Sequence, residues 1–300
     1  MPKLPEYHGI KKGYPRIRRY FGKLAAYVQL CRGFTLVAPL LAGIFGVLTP
    51  VKDITFQYLY TAIYVGITLA LAQSCGQCLN QYADVELDKT IKKEYRPIPS
   101  GLVSREEALG VSWLLAIFAL GRAFTISVFF GLITLTLIFF AVFYSLAPFS
   151  PRRIHALANV SWMAVSRGLI PMFAVLSLFG DPSEAWKYSI LAFMWMLGFQ
   201  STKDVPDVDG DKKFGIKTVP GSYGQRGLVT LMVISSIVYA ILSAYFKLYI
   251  MLLILPVAAL AILTTKRQSR LTENTYAWCC MYIGLAMIYL LMFVNERFIL

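Results

Sequence analysis

Apolar residues in this chain gather into long runs separated by short polar stretches, with little of the alternation that marks half-buried elements. A helix needs about 20 apolar residues to cross a hydrocarbon core. Read on that scale, the chain holds nine spans, running approximately from Leu24 to Leu48, Phe56 to Leu79, Ala108 to Phe124, Ser127 to Leu146, Ala156 to Phe179, Trp186 to Gln200, Leu228 to Tyr245, Leu248 to Leu263 and Tyr276 to Val294. Such runs predict membrane-spanning helices in preference to the one-sided stripes of a soluble bundle. The third and fourth nearly touch, as do the seventh and eighth, so tight turns are expected near Arg122 and Lys247. The fold class is therefore an all-α integral membrane protein with about nine transmembrane helices.

The basic residues orient these spans. Twenty-two Lys and Arg fall in the segment before the first span and in the loops after the second, fourth, sixth and eighth, against five on the opposite side. The positive-inside rule places the N-terminus and those loops in the cytoplasm, which leaves the C-terminus outside. Residues 1–23 mix basic side chains with Tyr14, Ile17, Tyr20 and Phe21. They read as a basic membrane-surface segment, either an amphipathic helix or a plain anchor, ahead of a transmembrane domain over 24–300. No short apolar stretch with a small-residue cleavage site precedes Lys23, so no signal peptide is expected.

Composition narrows the classes. The chain is 57% hydrophobic with mean hydropathy +0.61 and 15% charged, against roughly 25% charged in soluble domains. Disorder, collagen-like repeats and a disulfide-stapled module are excluded. A net charge of +13 would suit nucleic acid in a soluble protein, but no interleaved basic and aromatic surface accompanies it. Cys75 and Cys78 form a lone C-x-x-C, and the histidines are His8 and His155. Without a second Cys pair at zinc-like spacing, the cysteines read as packing residues.

The acidic residues are far from evenly spread. Seven of sixteen lie in two short stretches, Asn80 to Asp88 after the second span and Lys203 to Asp211 after the sixth. Equivalent placement suggests an internal duplication. Asn80, Asp84 and Asp88 stand at i, i+4 and i+8, one face of a continuing helix. Lys203, Asp207 and Asp211 repeat the interval, with Pro206 and Gly210 as points where that helix bends or ends. Like charges at this spacing repel, and two facing rows near a membrane call for a cation. Hard carboxylate oxygens suit Mg²⁺, which commonly bridges protein carboxylates to phosphates. Arg96 follows in the rigid turn Arg96-Pro97-Ile98-Pro99-Ser100-Gly101. Carboxylate pairs, Mg²⁺ and Lys/Arg together equip a site to hold a diphosphate and stabilise it as a leaving group. A solvated, salt-bridged loop is the ordinary reading of either row alone; the shared register of the two argues against it. A cation or organic-anion transporter is the rival class, but transporters bind near the bilayer midplane, whereas these carboxylates sit at helix ends.

At these residues the sequence resembles the UbiA superfamily of intramembrane prenyltransferases. The family signature N-D-x-x-D-x-x-x-D is matched by Asn80, Asp84 and Asp88, and Y-x-x-x-K-x-x-x-D-x-x-x-D by Lys203, Asp207 and Asp211. The stretches Arg96 to Gly101 and Gly215 to Pro220 also look like the family, and the likeness runs from Arg32 to at least Gly224. It implies a ring of helices around a central cavity open to lipid, capped by segments of loops 2–3 and 6–7. It further implies that Asp84, Asp88, Asp207 and Asp211 hold Mg²⁺ on a polyprenyl diphosphate, with Asn80, Arg96 and Lys203 assisting. The allylic bond then ionises and a lipophilic acceptor attacks. That acceptor would be an aromatic quinone-type precursor or geranylgeranylglyceryl phosphate; a cyclase of the same superfamily, folding its own prenyl chain, is the alternative. Three positions depart from the pattern: Gln81 in place of Asp, Phe199 where tyrosine is usual and Gly33 where proline is common.

Two further charges lie inside spans. Arg32 is about eight residues into the first, or roughly 12 Å, and Arg167 is near the middle of the fifth with Asn159 two turns earlier. Burial of such charges makes a functional or paired role the default, and Arg32 joins the expected diphosphate-binding group. The 20 Phe and 18 Tyr supply ring faces for lining a prenyl tunnel and stabilising a cation.

Overall fold

A computed structural model describes residues 15–267 and 276–299, apart from 92, 94, 147 and 149. Every regular element among the described residues is a helix, and none is a strand. Of the expected surface segment, residues 1–14 lie outside the described residues. From Pro15 onward helix α1 (Pro15–Leu30) runs straight into the first apolar run. There the span breaks. Arg32 takes a left-handed conformation (φ 53°, ψ 62°), and a 3₁₀ turn over Gly33–Leu36 leads into α2 (Val37–Leu48). The two halves meet at 46°. A left-handed residue other than glycine is costly and marks a constrained site.

Helices α3 (Phe56–Ala83) and α4 (Val85–Thr90) follow. Helix α5 (Arg105–Ile126) starts with a capping box: the Ser104 hydroxyl accepts from the Glu107 N–H at 3.0 Å, and the Glu107 carboxylate accepts from the Ser104 N–H at 2.8 Å. The same carboxylate takes the Lys23 ammonium at 2.5 Å, pinning α1 to α5. The turn into α6 (Val128–Leu146) falls at extended Ser127, not at Arg122. The Arg122 guanidinium instead donates to the Tyr64 carbonyl at 3.0 Å and the Thr68 hydroxyl at 3.2 Å, which places it a turn inside the helix and satisfied by α3. Next come α7 (Pro151–Ile154) and α8 (Ala156–Ala164), a π-helical turn Val165–Leu169, and α9 (Ile170–Phe179). Helix α10 (Pro182–Phe199) begins with an Asp181 cap and Pro182 at its first position. A 3₁₀ segment Gln200–Asp207 joins it to α11 (Val208–Lys213). Helix α12 (Val219–Tyr245) precedes the expected turn at Lys247, where φ is 60°. A 3₁₀ stretch Tyr249–Ile254 passes into α13 (Leu255–Arg267), and α14 (Tyr276–Phe298) is last.

Among the described residues seven helices are long and apolar enough to cross a membrane, or eight with the bent first pair taken as one span. The sixth expected span, α10, falls short because Ser183, Glu184 and Lys187 occupy its first two turns. Successive spans pack as neighbours, and α14 returns against α2, so the helices form a ring. Helix α5 stands behind α3 and α6. Ile117, Phe118, Leu132, Phe139, Ile237, Ile241 and Leu260 are all exposed, the reverse of a soluble surface and the face a bilayer requires.

Candidate active site

Both motif segments come together at one end of the ring. The row on α3 and α4 survives a break. Helix α3 stops at Asp84, yet the Asp84 N–H still donates to the Asn80 carbonyl at 3.0 Å and the Asp88 N–H to the Asp84 carbonyl at 2.8 Å. The i+4 spacing therefore carries through the kink. After α10, Pro206 lies within a 3₁₀ segment, so the chain winds tighter before α11 starts. With the tighter winding the Lys203 ammonium meets Asp204 (2.5 Å), one residue on, and not Asp207. Helix α11 rests on α4 through Gly210; a Cβ there would stand 2.3 Å from the Ile91 Cγ2. That close approach brings the two acidic rows to a shared mouth.

Asn80, Asp84, Asp88, Arg96, Lys203, Asp207 and Asp211 all line a single cavity, and so do Arg32 and Arg167. The alternate acids Glu86 and Asp209 are exposed outside it. The cavity takes in about 1550 Å³, counting the open space at its mouth. Its carboxylate end gives way to an apolar interior walled by Leu69, Leu137, Phe140, Met163, Pro171 and Leu285.

Three of the four aspartates carry a basic partner. Asp84 receives the Arg152 guanidinium at 2.7 Å and the Asn80 amide at 2.7 Å. Asp88 receives the Arg96 guanidinium at 2.5 Å, with both side chains buried. Asp207 receives the Lys93 ammonium at 2.7 Å. Asp211 is buried with no cation within 4 Å among the described residues, and its carboxyl is pushed up to about 8 by burial and by Asp204 and Asp207. Burial likewise raises Asp88, while Arg96 pulls it back. Asp211 is thus the acid of the two rows that has no cation of its own among the described residues. Among the described residues, no three acidic, histidine or cysteine side chains converge closely enough to hold a metal as they stand. The donor set nevertheless fits Mg²⁺: all four are hard carboxylate oxygens, and Asp211 has no counter-ion among the described residues.

Arg152 and Lys93 are the residues that the sequence reading passed over, each counted only as a loop charge. Arg152 is held in place from several sides. Pro151 starts α7, the Lys217 N–H donates to the Arg152 carbonyl at 2.6 Å, and the Asn159 amide donates to the Lys217 carbonyl at 2.9 Å. An Arg directly after Pro151, following an even-numbered span as both acidic rows do, was the available signal, although nothing local marked it as buried. Arg96 is fixed by its turn, in which the Ser100 N–H donates to the Arg96 carbonyl at 3.0 Å and Gly101 supplies φ 74°. The departures have structural roles. Gln81 donates to the Leu30 carbonyl at 2.5 Å, closing the end of α1 beside the break. Phe199 is fully buried and stacks on Trp195 at 4.1 Å. Cys75 and Cys78 are buried free thiols, with the Cys75 carbonyl accepting from Ser112 at 2.9 Å.

This architecture has known counterparts. Residues 36–295 match the family model of the UbiA prenyltransferase family. The digeranylgeranylglyceryl phosphate synthase of Korarchaeum cryptofilum is 30% identical over 247 residues, covering 76% of this chain and 79% of that one. The 4-hydroxybenzoate octaprenyltransferase of Polaromonas naphthalenivorans is 30% identical over 164 residues, covering 54% and 55%. A UbiA homolog from Archaeoglobus fulgidus bound to GPP and Mg²⁺ superimposes with a TM-score of 0.69 over 90% of this chain and 98% of that one, at 19% identity. A match through nearly every span, joined to a lipid-facing helical ring with one acid-lined mouth, makes this chain a multi-pass membrane prenyltransferase belonging to the UbiA prenyltransferase family.

Proposed function

We propose that this protein transfers a polyprenyl group from a polyprenyl diphosphate to a lipophilic acceptor, either an aromatic ring or geranylgeranylglyceryl phosphate, with release of diphosphate. One observation carries the reading: Asp84, Asp88, Asp207 and Asp211 face the same cavity mouth together with Arg96 and Lys203, above an apolar interior. Those four aspartates would hold Mg²⁺, which when bound supplies positive charge against the diphosphate oxygens and so improves the leaving group. Arg96, Arg152, Lys93 and Lys203 bind the remaining diphosphate charge, exchanging carboxylate partners for phosphate oxygens; the Asn80 amide donates beside them. Arg32, set in the break of the first span, adds a cation at the inner edge of this group. The apolar walls take the prenyl chain and exclude water from the allylic carbon, while ring faces such as Phe140 and Tyr289 stabilise its developing positive charge. The acceptor attacks that carbon as the C–O bond opens, and the proton lost from its ring carbon or hydroxyl leaves with the departing diphosphate.

The excess of Lys and Arg in the loops at this end supports a cytoplasmic mouth, with the C-terminus outside. The chain is read as one transmembrane unit over 24–300 preceded by a surface segment over 1–23. The test is product analysis. Purified protein in detergent or nanodiscs, given geranylgeranyl diphosphate, Mg²⁺ and a panel of acceptors, is expected to yield one prenylated adduct by mass spectrometry with equimolar diphosphate. Release of diphosphate with only the prenyl alcohol or a cyclised hydrocarbon, whatever the acceptor, would contradict transfer.

A further inference from the structure

Helix α3 buries four polar residues besides its cysteines, and three of them are satisfied within the protein. The Thr68 hydroxyl donates to the Tyr64 carbonyl at 2.8 Å, the Ser74 hydroxyl to the Ala70 carbonyl at 2.8 Å, and the Gln81 amide to the Leu30 carbonyl at 2.5 Å. Gln77 is the exception. It is 2% exposed and lines the cavity, yet its amide forms no hydrogen bond among the described residues. Buried amides left without a partner are rare, because their desolvation is then uncompensated. Gln73, half-buried one turn away, lines the same wall and likewise forms no hydrogen bond among the described residues.

These two amides continue the acidic row inward. Gln73, Gln77, Asn80 and Asp84 stand at i, i+4, i+7 and i+11, one face of α3, and all four line the cavity. At 1.5 Å per residue, Gln77 lies about 4.5 Å and Gln73 about 10 Å inward of Asn80. Leu69, one turn further, already belongs to the apolar wall. The face therefore passes from carboxylate to carboxamide to hydrocarbon. Its middle part carries no charge but can both donate and accept hydrogen bonds.

Building on the prenyl-transfer reading, we propose that Gln77, backed by Gln73, holds the neutral hydroxyl group of the acceptor beside the allylic carbon and so decides between prenyl transfer and hydrolysis. The chemistry of the two substrates selects this occupant. Beyond its diphosphate the donor is a hydrocarbon, which offers an amide nothing. The diphosphate oxygens already meet basic side chains and the metal ligands at the mouth. Both acceptor classes of the reading carry a hydroxyl, either on the ring next to the reacting carbon or as the free alcohol of the glycerol. The Gln77 amide oxygen accepts from that O–H and orients it. As the C–O bond breaks, the diphosphate leaves with the electron pair and the acceptor's oxygen or ring carbon bonds to the allylic carbon. The acceptor's proton passes to the diphosphate; the amide orients the group without taking that proton. With no acceptor bound, water satisfies the amides and captures the same carbon, giving the prenyl alcohol. Gln77 is thus a specificity-determining residue, and acceptors without the hydroxyl leave it unpaired.

Product partition tests this in the purified protein with geranylgeranyl diphosphate, Mg²⁺ and whichever of 4-hydroxybenzoate or geranylgeranylglyceryl phosphate is turned over. Gln77→Leu is expected to lower kcat/KM for adduct formation by about 10- to 100-fold, the range for one hydrogen bond lost in a buried site. Prenyl alcohol rises as the adduct falls. Donor KM and diphosphate release without acceptor stay within about twofold of wild type. Gln77→Asn recovers part of the loss, and Gln73→Leu gives a smaller change in the same direction. A second measurement needs only the wild type and stands even if Gln77→Leu fails to insert. The hydroxyl acceptor is preferred by about tenfold over its methyl ether in the ring case, or over its thiol analogue in the glycerol case. An unchanged adduct share in Gln77→Leu overturns the proposal, as does equal wild-type turnover of acceptors with and without the hydroxyl. A rise in donor KM overturns it too, by assigning Gln77 to the diphosphate. A parallel loss of adduct and of acceptor-independent release also overturns it, by reducing Gln77 to packing. Absence of any diphosphate release by the wild type would overturn the transfer reading itself, and this inference with it.

Discussion

Asp84→Asn and Asp207→Asn are each expected to reduce prenyl transfer by about a thousandfold, the order reached when one main electrostatic contact to a developing charge is removed. The two residues belong to different halves of the chain, and each is held by a cation from yet another segment. Asp84 is paired with Arg152 at 2.7 Å and Asp207 with Lys93 at 2.7 Å. Replacing either carboxylate by an amide keeps its size and much of its hydrogen bonding, so the fold should persist. What is lost is an anionic ligand, and with it the charge balance that lets the mouth accept metal and diphosphate together. At Asp207, the more exposed of the two, turnover should fall without a matching fall in thermal stability; Asp84→Asn also leaves the buried Arg152 guanidinium without its counter-charge and should lower stability as well, and excess Mg²⁺ should restore only a small part of either activity. The control at Asp209→Asn, exposed on the same segment, should leave turnover near the wild-type rate. Equal losses at Asp209 and Asp207 would reduce the effect to general surface charge.

Arg96→Met carries the largest expected effect on stability. The Arg96–Asp88 pair is buried, with side-chain exposures of 7% and 1%. Removing one member of such a pair leaves an uncompensated charge and typically costs about 3–5 kcal/mol. Asp88 already feels burial raising its carboxyl, with Arg96 the main opposing influence. Without Arg96 it is driven to take up a proton. The variant's deficit should therefore grow as pH rises, since ionising Asp88 then costs more in the folded protein than in the unfolded chain. Adding Asp88→Asn to Arg96→Met should recover much of the lost stability, though not the activity. Thermal unfolding of the two single variants and the double variant, at pH 6 and pH 8, measures this coupling. A double variant as unstable as Arg96→Met alone would show that Arg96 acts by packing.

Much of this was legible in the chain because membranes impose simple rules. Long apolar runs located the spans, and an i, i+4 register located two acidic rows that the fold does bring to one mouth. Local winding was less accessible. Hydropathy read 24–48 as one span because Cys31, Arg32 and Gly33 are too few to interrupt an apolar window, yet the helix breaks there by 46°. The sixth span, read from Trp186, left out the polar first turn of α10, because Ser183 and Glu184 look like loop residues until the Asp181 cap and Pro182 start the helix there. Pro206 marked a bend, but the 3₁₀ winding that turns Lys203 onto Asp204 depends on tertiary packing. Arg152 was hidden among basic loop residues whose composition matches an ordinary cytoplasmic anchor. Its burial follows from contacts with Lys217 and Asp84, 65 or more residues distant in sequence, and no local pattern encodes those.

The central claim is that the two acidic rows act on one diphosphate. A structure of the protein with Mn²⁺ in place of Mg²⁺ and a non-cleavable prenyl thiolodiphosphate, read from the anomalous signal of the metal, tests it most directly. The account predicts metal between the Asp84–Asp88 and Asp207–Asp211 carboxylates, with the diphosphate against Arg96 and Lys203 and the prenyl chain running inward past Leu69. Metal bound to one row alone, or a diphosphate seated outside the cavity mouth, would contradict it.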